Sequence, residues 1–213
     1  MLKSELLTFV NENLLDGRAM DETLFDTLLN LAKDKVEGSR PWVQLRSEDG
    51  TEAISSGNTW ETLHNLPTRF REPYPVKRSN GTYSALVLVS GTEVVVLEEI
   101  QWPNRLEKQD SFGYYAINPS TGKYILTGAM PKAYTAYWSF ITYSPVLEAD
   151  GDEWVFPSNY HPLLGYLVAA MEKARDYDEV NMANIAQYLP EAGAIIAAMN
   201  LWDTNRQRAM HGV

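Results

Sequence analysis

The sequence predicts an α+β protein: a four-helix bundle formed by N- and C-terminal helices, with an inserted antiparallel β-rich region between them. Apolar residues recur every three or four positions near both ends of the chain, as they do on one face of a helix. In the middle, Val, Leu, Ile and aromatic residues form short stretches separated by glycine-containing turns, a pattern typical of strands. We therefore assign residues 1–40 and 157–213 to the bundle and residues 41–156 to the insertion.

The first 40 residues predict a helical hairpin. A first amphipathic helix covers 2–15, and its polar interruptions distinguish it from the apolar core of a secretion signal. Asp21 is a favourable N-cap for a second helix, because its carboxylate can accept a hydrogen bond from the first turn. Gly38 and the following Pro41 predict where that second helix ends.

The middle of the chain predicts β-hairpins. The sequence GTYSALVLVSGTEVVVLEEI predicts strands over 83–89 and 93–100, joined by a short connection that contains Gly91. A second pair, 114–117 and 123–127, flanks a turn. The strand 133–143 carries apolar or aromatic groups on both faces, so we expect cover on both sides, or on one side from another subunit.

Helical spacing returns after the acidic turn 149–154. Pro162 suits the first turn of a third helix, whereas a break at 176–178 separates it from a fourth helix that begins near Glu179. Pro190 lacks a backbone N–H, so we expect it to kink or restart this last helix. The stretch that follows is rich in alanine, which favours close packing of the helix.

Motifs for catalysis or for metal binding do not stand out. The chain has no cysteine, which excludes disulfides and thiolate metal sites. Its three histidines, His64, His161 and His211, have no i, i+4 spacing. The turn 149–154 lacks the later ligands of a calcium loop and is predicted to be solvated. Nucleotide-binding glycine motifs and a nucleophile elbow are absent from the sequence, so we predict no enzymatic activity, no cofactor and no metal.

The charge of the chain argues against nucleic-acid binding. The net charge of −10 is spread over the chain, with 5 basic and 8 acidic residues in 1–40, 9 and 14 in 41–156, and 4 and 6 in 157–213. Affinity for nucleic acid comes mainly from Lys and Arg on phosphates, and no basic stripe is present. The longest apolar run is well short of the ~20 residues that cross a bilayer, so no membrane contact is expected.

Aromatic residues concentrate in 113–142 and raise two alternatives. Tyr114, Tyr134, Tyr137 and Trp138 are candidates for packing in a core or in an interface, since aromatic side chains supply large apolar area. Together with Tyr115 and Tyr143, the same residues could instead form a shelf on which a sugar ring stacks.

The order of these patterns resembles the head-to-tail adaptor (connector) family of tailed bacteriophages over nearly the whole chain. The similarity begins with the paired N-terminal helices and continues in LPTRFREP, residues 66–73. It includes YYAINPSTGKYILTGAMPKAYTAYWSFITYSPV, with two strands, a proline and an aromatic strand, and FPSNYHPLLGYLVAAMEKARDYDEV, in which Pro, Tyr and His precede an apolar helix. Pro190 departs from the pattern, because the family's last helix is expected to run without interruption.

The resemblance implies a structural virion protein of the phage neck, assembled in the host cytoplasm. Such adaptors form a homo-oligomeric ring, usually twelvefold, beneath the portal protein. The ring extends the DNA channel and docks the tail or the next neck protein, and genomic DNA passes through without sequence-specific binding. The helical bundle forms the ring, and the C-terminal segment commonly reaches the portal, which makes Trp202, Arg206 and Arg208 portal-contact candidates. The alternative class is a virion-associated carbohydrate-binding or tail-accessory module that uses the aromatic β region.

Overall fold

The computed structural model describes residues 1–78, 80–175 and 179–211, without the side chains of 179, 180, 210 and 211. The chain divides into two compact units. The helical unit comprises Met1–Gln44 and Ser144–Val213, and the β unit comprises Leu45–Tyr143. The β unit is thus shorter than the predicted insertion, and the segment 144–156 lies in the helical unit.

Among its described residues, the helical unit contains four α-helices. They are α1 (Lys3–Phe9), α2 (Glu22–Gly38), α3 (Pro162–Arg175) and α4 (Glu179–His211). A π-helical turn, Val10–Leu14, continues α1, and a 3-10 turn, Ser158–Tyr160, precedes α3. Asp21 caps α2 as predicted, since its Oδ1 accepts a 3.0 Å hydrogen bond from the backbone N–H of Leu24.

The predicted four-helix bundle is wrong. Among the described residues, the other helices each pack on α3 and do not form a bundle of four mutually packed helices. The first helix with its π-helical turn, α2 and α4 each pack against α3. Gly165 allows α1 to approach, since a Cβ atom there would lie 2.8 Å from the ring of Phe9. The sequence pattern identified amphipathic helices, but spacing along one helix does not specify which partner covers its apolar face.

Part of the surface of α2 is occupied by an extended segment, 144–154. Asn30 bonds both backbone groups of Leu147, with Nδ2 3.1 Å from its oxygen and Oδ1 2.9 Å from its nitrogen. Glu37 accepts hydrogen bonds from the Ser144 N–H at 3.0 Å and from the Trp154 indole N–H at 2.8 Å. These polar contacts explain why this segment, predicted to belong to the insertion, lies with the helices.

The predicted restart at Pro190 is wrong, because α4 runs as one helix of 33 residues through this proline. Pro190 lies on the exposed side of α4, where water can satisfy the carbonyl group that loses its partner. Tyr188 and Ala192 on either side are buried, and the Tyr188 hydroxyl donates to the Leu14 carbonyl. Tertiary packing therefore holds the helix on both sides of a residue that disfavours it locally.

In the part of the chain that the structure describes, the β unit contains eleven strands in three sheets. The strands are β1 (Arg46–Ile54), β2 (His64–Asn65), β3 (Phe70–Pro73), β4 (Val76–Lys77), β5 (Tyr83–Ser84), β6 (Leu86–Ser90), β7 (Glu93–Val96), β8 (Glu98–Glu99), β9 (Tyr114–Asn118), β10 (Lys123–Leu126) and β11 (Tyr134–Thr142). The largest sheet has the order β1-β11-β6-β7, with β3 also paired to β11. The second sheet is β2-β10-β9-β8, and β4 pairs with β5.

Two predicted hairpins are confirmed, and one feature of the sheets was not foreseen. Ser90 pairs with Glu93 in the β6–β7 hairpin, and Lys123 pairs with Asn118 in the β9–β10 hairpin. The strand pairs are antiparallel except β8 and β9, which are parallel, so the insertion is not purely antiparallel. The stretch 101–112, between β8 and β9, contains the 3-10 helix Trp102–Lys108.

The core of the β unit is built around Trp138 of β11. This indole is 1% exposed, and the rings of Phe70, Tyr115 and Tyr124 lie with their centroids 5.5, 5.2 and 5.0 Å away, each nearly perpendicular to it. Such edge-to-face packing is the arrangement that the ring quadrupole favours. Aromatic residues from both larger sheets thus fill one core.

Within the described part of the chain, no helix combines the length and the hydropathy that crossing a bilayer requires.

Candidate docking surfaces

The four aromatic residues singled out in the sequence do not form a common surface. Trp138 and Tyr134 are buried in the β-unit core. Tyr114 is half-buried, with the Lys108 ammonium 5.0 Å from its ring centre, and Tyr137 is 40% exposed. A flat shelf for a sugar needs exposed ring faces next to each other, and two of these four rings are sealed inside the unit.

Of the three predicted portal-contact residues, Trp202 packs within the helical unit, whereas Arg206 and Arg208 are exposed. Trp202 is half-buried, with ring centroids 5.8 Å from Tyr160 and 6.3 Å from Phe156. The guanidinium of Arg206 lies 5.2 Å from the centre of the Trp202 ring and bonds the Gln44 side chain. Arg208 is exposed. The tryptophan therefore anchors α4 to its own unit, whereas the two arginines face outward.

Asp203 is a residue that sequence reasoning missed. It is fully buried, accepts a 2.7 Å hydrogen bond from the Val43 N–H and forms a 2.8 Å ion pair with Arg40. One feature of the sequence could have identified it: Asp203 is a single carboxylate that follows a long apolar stretch of the last helix. Because removal of one partner of a buried ion pair is strongly destabilising, this residue secures the end of α4.

The side of α4 that points away from α3 is almost entirely apolar. We call it the outward face of α4, and all its members are exposed: Met182, Ala183, Ala186, Leu189, Pro190, Gly193, Ala194, Ala197, Ala198 and Leu201. On the packed side, Tyr188, Ala192 and Met199 are buried at helical spacing. A helix that is apolar all round is ordinarily buried all round, so this face is unusual for a free surface.

Three large side chains on this face are well exposed. Leu201 is 63% exposed, Leu189 51% and Met182 44%. Glu191 is the only charged residue between 181 and 202, and it lies beside the face. The alanine content of this stretch was visible in the sequence, but its outward orientation depends on which side of α4 meets α3.

A polar groove of about 480 Å³ lies in the β unit beside β1. Asp49, Glu52, Arg69 and Thr142 contribute polar groups to its lining, and Gly50 and Pro67 come close together there. A Cβ atom on Gly50 would lie 2.5 Å from Pro67 Cγ, which explains the glycine at a position where β1 is irregular.

Glu52, one of the two acidic residues of this groove, is held by structural hydrogen bonds. Glu52 accepts a 2.7 Å hydrogen bond from the Tyr124 hydroxyl, and its other oxygen lies 3.2 Å from Nδ1 of His64. Burial, together with the bond to Glu52, raises the pKa of Tyr124. The tyrosine therefore keeps its proton at neutral pH and acts as a donor, not as a base or nucleophile.

The other groups considered for metal binding are engaged in structural contacts. Nδ1 of His161 lies 2.9 Å from the Met1 carbonyl oxygen, and Nε2 lies 2.7 Å from that of Phe156. Asp152 accepts the N–H groups of Glu148 and Ala149, and the bonds from Ala149 and Glu148 lower the pKa of its carboxyl. The side chain of His211 lies outside the described residues. Within the described ranges, groups of three or more His, Asp or Glu residues placed to hold a metal ion do not occur.

Comparison with known proteins finds no protein-family model that matches the chain and no curated protein with significant sequence similarity to it.

Proposed function

We propose that this chain is a non-enzymatic structural subunit of the neck of a tailed bacteriophage, a head-to-tail adaptor assembled in the host cytoplasm. Copies of it form a ring beneath the portal protein, extend the DNA channel and present a docking surface for the tail or the next neck protein. The observation that carries the proposal is that α4, a helix of 33 residues, is packed on one side only. A long apolar helix face left open implies cover by other protein.

The resemblance of the sequence to the adaptor family specifies which kind of assembly is meant. It extends over the paired N-terminal helices, the β-rich middle and the C-terminal helices, in that order. The continuous α4 removes the one departure that Pro190 suggested, because the family's last helix is expected to be uninterrupted.

The end of α4 supports contact with the portal. Arg206 and Arg208 are exposed there and offer two cations to carboxylates of a partner. In this proposal Trp202 does not contact the portal itself. It packs within the helical unit, and its ring lies against the guanidinium of Arg206. The spread negative charge of the chain suits a channel past which DNA moves without adhering.

The carbohydrate-binding alternative is not supported by a specific observation. It requires stacked or adjacent exposed rings, and Trp138, the largest of the candidate aromatics, is enclosed by Phe70, Tyr115 and Tyr124. Tyr134 is 4% exposed. The aromatic residues of the β region therefore mainly form the hydrophobic core of the β unit.

The proposal is tested by mixing the purified chain with portal rings of the phage that encodes it and imaging the product by electron microscopy. We expect a second ring stacked on each portal ring, with twelve copies of the chain as the family resemblance implies. Portal rings that stay bare at saturating chain concentration would refute the proposal, as would finished virions that carry the chain away from the neck.

A charge-reversed variant, Arg206→Glu with Arg208→Glu, examines the portal contact itself. We expect it to fold and to lose attachment. Deletion of 203–213 is a poorer test, because it removes the buried Asp203 and so disturbs the helical unit. The matched control is Lys123→Glu, which reverses a charge in the β unit and should leave attachment unchanged.

A further inference from the structure

We propose that the outward face of α4 seats a second copy of this chain and is the lateral joint between neighbours in the ring. The ring itself rests on the proposed function. The contact between copies is a property of the chain alone, so it can be tested without a portal.

The size of the face suits the centre of a protein–protein interface. Residues 182–201 extend over about 30 Å of helix, since each residue rises about 1.5 Å. With a width of about 10 Å, the face covers on the order of 300 Å², the scale of the largest apolar patches on monomeric proteins. A standard interface uses about 800 Å² per partner, so the polar surroundings must supply a rim. Gln187 and Glu191, both exposed, lie beside the face and can do so.

The distribution of side-chain sizes favours another helical surface as the occupant. Met182 and Leu201 are large and lie at the two ends of the face, and Leu189 lies near its middle. Gly193, Ala194 and Ala197, between Leu189 and Leu201, are small. Gly193 has open space where a Cβ atom would be. Small residues between larger ones form a shallow saddle in which a crossing helix can approach closely. This shape offers no deep pocket for a small molecule.

The charge of the face favours a copy of this chain over a partner of opposite charge. Each copy carries a net charge of −10, so two copies repel each other over most of their surfaces. The outward face of α4 contains no charged residue. Copies can therefore approach there with least repulsion, whereas a basic partner would be attracted more strongly elsewhere.

A ring constrains the geometry of this contact. In a closed ring each subunit uses two different surfaces, one towards each neighbour. The outward face of α4 must therefore pack on a different part of the next copy, and not on the same face of that copy. A twofold α4–α4 contact would close as a dimer and stop there.

The absence of cysteine from this sequence allows a direct test in the whole 213-residue chain. Ala197→Cys places a single thiol on the outward face, and Ser120→Cys places one in the exposed turn between β9 and β10 as the matched control. The rate of maleimide labelling is measured from about 1 µM to about 1 mM protein, beside sedimentation velocity. We expect association in this range, with labelling of the Ala197→Cys variant slowed at least roughly tenfold and that of the control unchanged.

A second pair of variants tests the contact without a thiol. Ala194→Glu puts a charge on the face, and Asn205→Glu puts the same charge on an exposed polar position of the same helix. We expect the first to remain monomeric and the second to associate like the parent, with equal helicity by circular dichroism. Three results would overturn the inference: a parent chain that stays monomeric at about 1 mM, association that leaves the Ala197→Cys thiol reactive, or association by Ala194→Glu. Disulfide-linked dimers of the Ala197→Cys variant would overturn the lateral joint, because they indicate a twofold contact.

The two proposals fail separately. If rings stack on the portal while the Ala197→Cys thiol stays reactive, the adaptor function stands and the α4 contact is wrong. If the chain associates through this face but leaves portal rings bare, the contact stands and the adaptor function is wrong.

Discussion

At the scale of single residues, Glu37 shows how the helical unit uses buried charge. Its carboxylate accepts hydrogen bonds from Ser144 and Trp154 and lies 3.7 Å from the ammonium of Lys33. Both charged side chains are buried, and Lys33 also contacts Asp34 at 2.7 Å. A buried ion pair of this kind contributes little net stability over an apolar replacement, but loss of one partner leaves an uncompensated charge.

We therefore predict that Glu37→Ala lowers the free energy of unfolding of the helical unit by about 3–5 kcal/mol. The reason is that the Ser144 N–H and the Trp154 indole N–H lose their buried acceptor, and Lys33 keeps only the exposed Asp34 as a charged partner. Urea unfolding followed by Trp fluorescence measures the loss. The double variant Lys33→Met with Glu37→Leu should lose clearly less than the single variant. A single variant as stable as the parent would contradict this account of the network.

Two buried tyrosines of the β unit predict how stability responds to alkaline pH. Burial raises the pKa of Tyr115 and Tyr124, and the carboxylates of Glu99 and Glu52, respectively, raise it further. Their folded-state pKa values lie above the unfolded value of about 10. The folded state thus binds more protons above about pH 10, so their contribution is complete below that pH and falls as the pH rises.

The expected slope is up to about 1.4 kcal/mol per pH unit for each tyrosine. Urea unfolding of the β unit between about pH 8 and pH 11 measures it, with absorbance of ionised tyrosine as a second readout. Tyr115→Phe should make the decline shallower because it removes one ionisable hydroxyl. Equal stability at both ends of this range would show that these hydroxyls titrate freely in the folded chain.

At the scale of elements, Pro190 in α4 shows how tertiary packing can maintain a helix at a residue with low helix propensity. We predict that Pro190→Ala raises the stability of the helical unit, by up to about 3 kcal/mol, because alanine restores a backbone donor and relieves a clash. Urea unfolding followed by far-UV circular dichroism measures the gain. Ala198→Pro, at another exposed position of α4, is the opposite control and should destabilise. Loss of stability on Pro190→Ala would mean that the helix requires the proline there.

Elements with a strong local pattern could be predicted from the sequence, whereas their partners could not. Asp21 and Gly38 mark the limits of α2 because capping depends on a few neighbouring residues. The nine-residue β1 was missed, since its sequence RSEDGTEAI is polar and has an irregular register between Ser47 and Gly50. It is a strand because it pairs with β11 over Arg46 to Ile54. Nothing in an isolated polar stretch records such distant pairing.

The candidate surfaces also combine residues that could be recognised in the sequence with orientations that only the tertiary fold decides. The alanine-rich stretch of α4 was noted in the sequence, but its outward orientation follows from the burial of Tyr188, Ala192 and Met199 on the other side. Trp138 was a candidate for an interface and lies in the core, because rings from three separate strands converge on it. Periodicity gives the faces of a strand or helix; which face is covered depends on the tertiary fold.

At the scale of the whole molecule, net charge and the outward face of α4 have opposite effects on assembly. The charge of −10 makes copies repel, and the apolar face makes them associate. Salt screens the repulsion, since the Debye length falls from about 10 Å at 0.1 M to about 3 Å at 1 M ionic strength. Burial of apolar surface does not weaken under the same change. The two contributions can therefore be separated by salt.

We predict that self-association becomes tighter as NaCl is raised from about 0.05 M to about 0.5 M, measured by sedimentation equilibrium. Glu191→Gln removes the one charge between residues 181 and 202, so it should strengthen association at low salt and make the salt dependence shallower. Lysine or arginine paired with carboxylates of a neighbour would give the opposite sign, because screening weakens attraction between unlike charges. Association that weakens with salt would thus place the joint on charged surfaces of the chain and away from the outward face of α4.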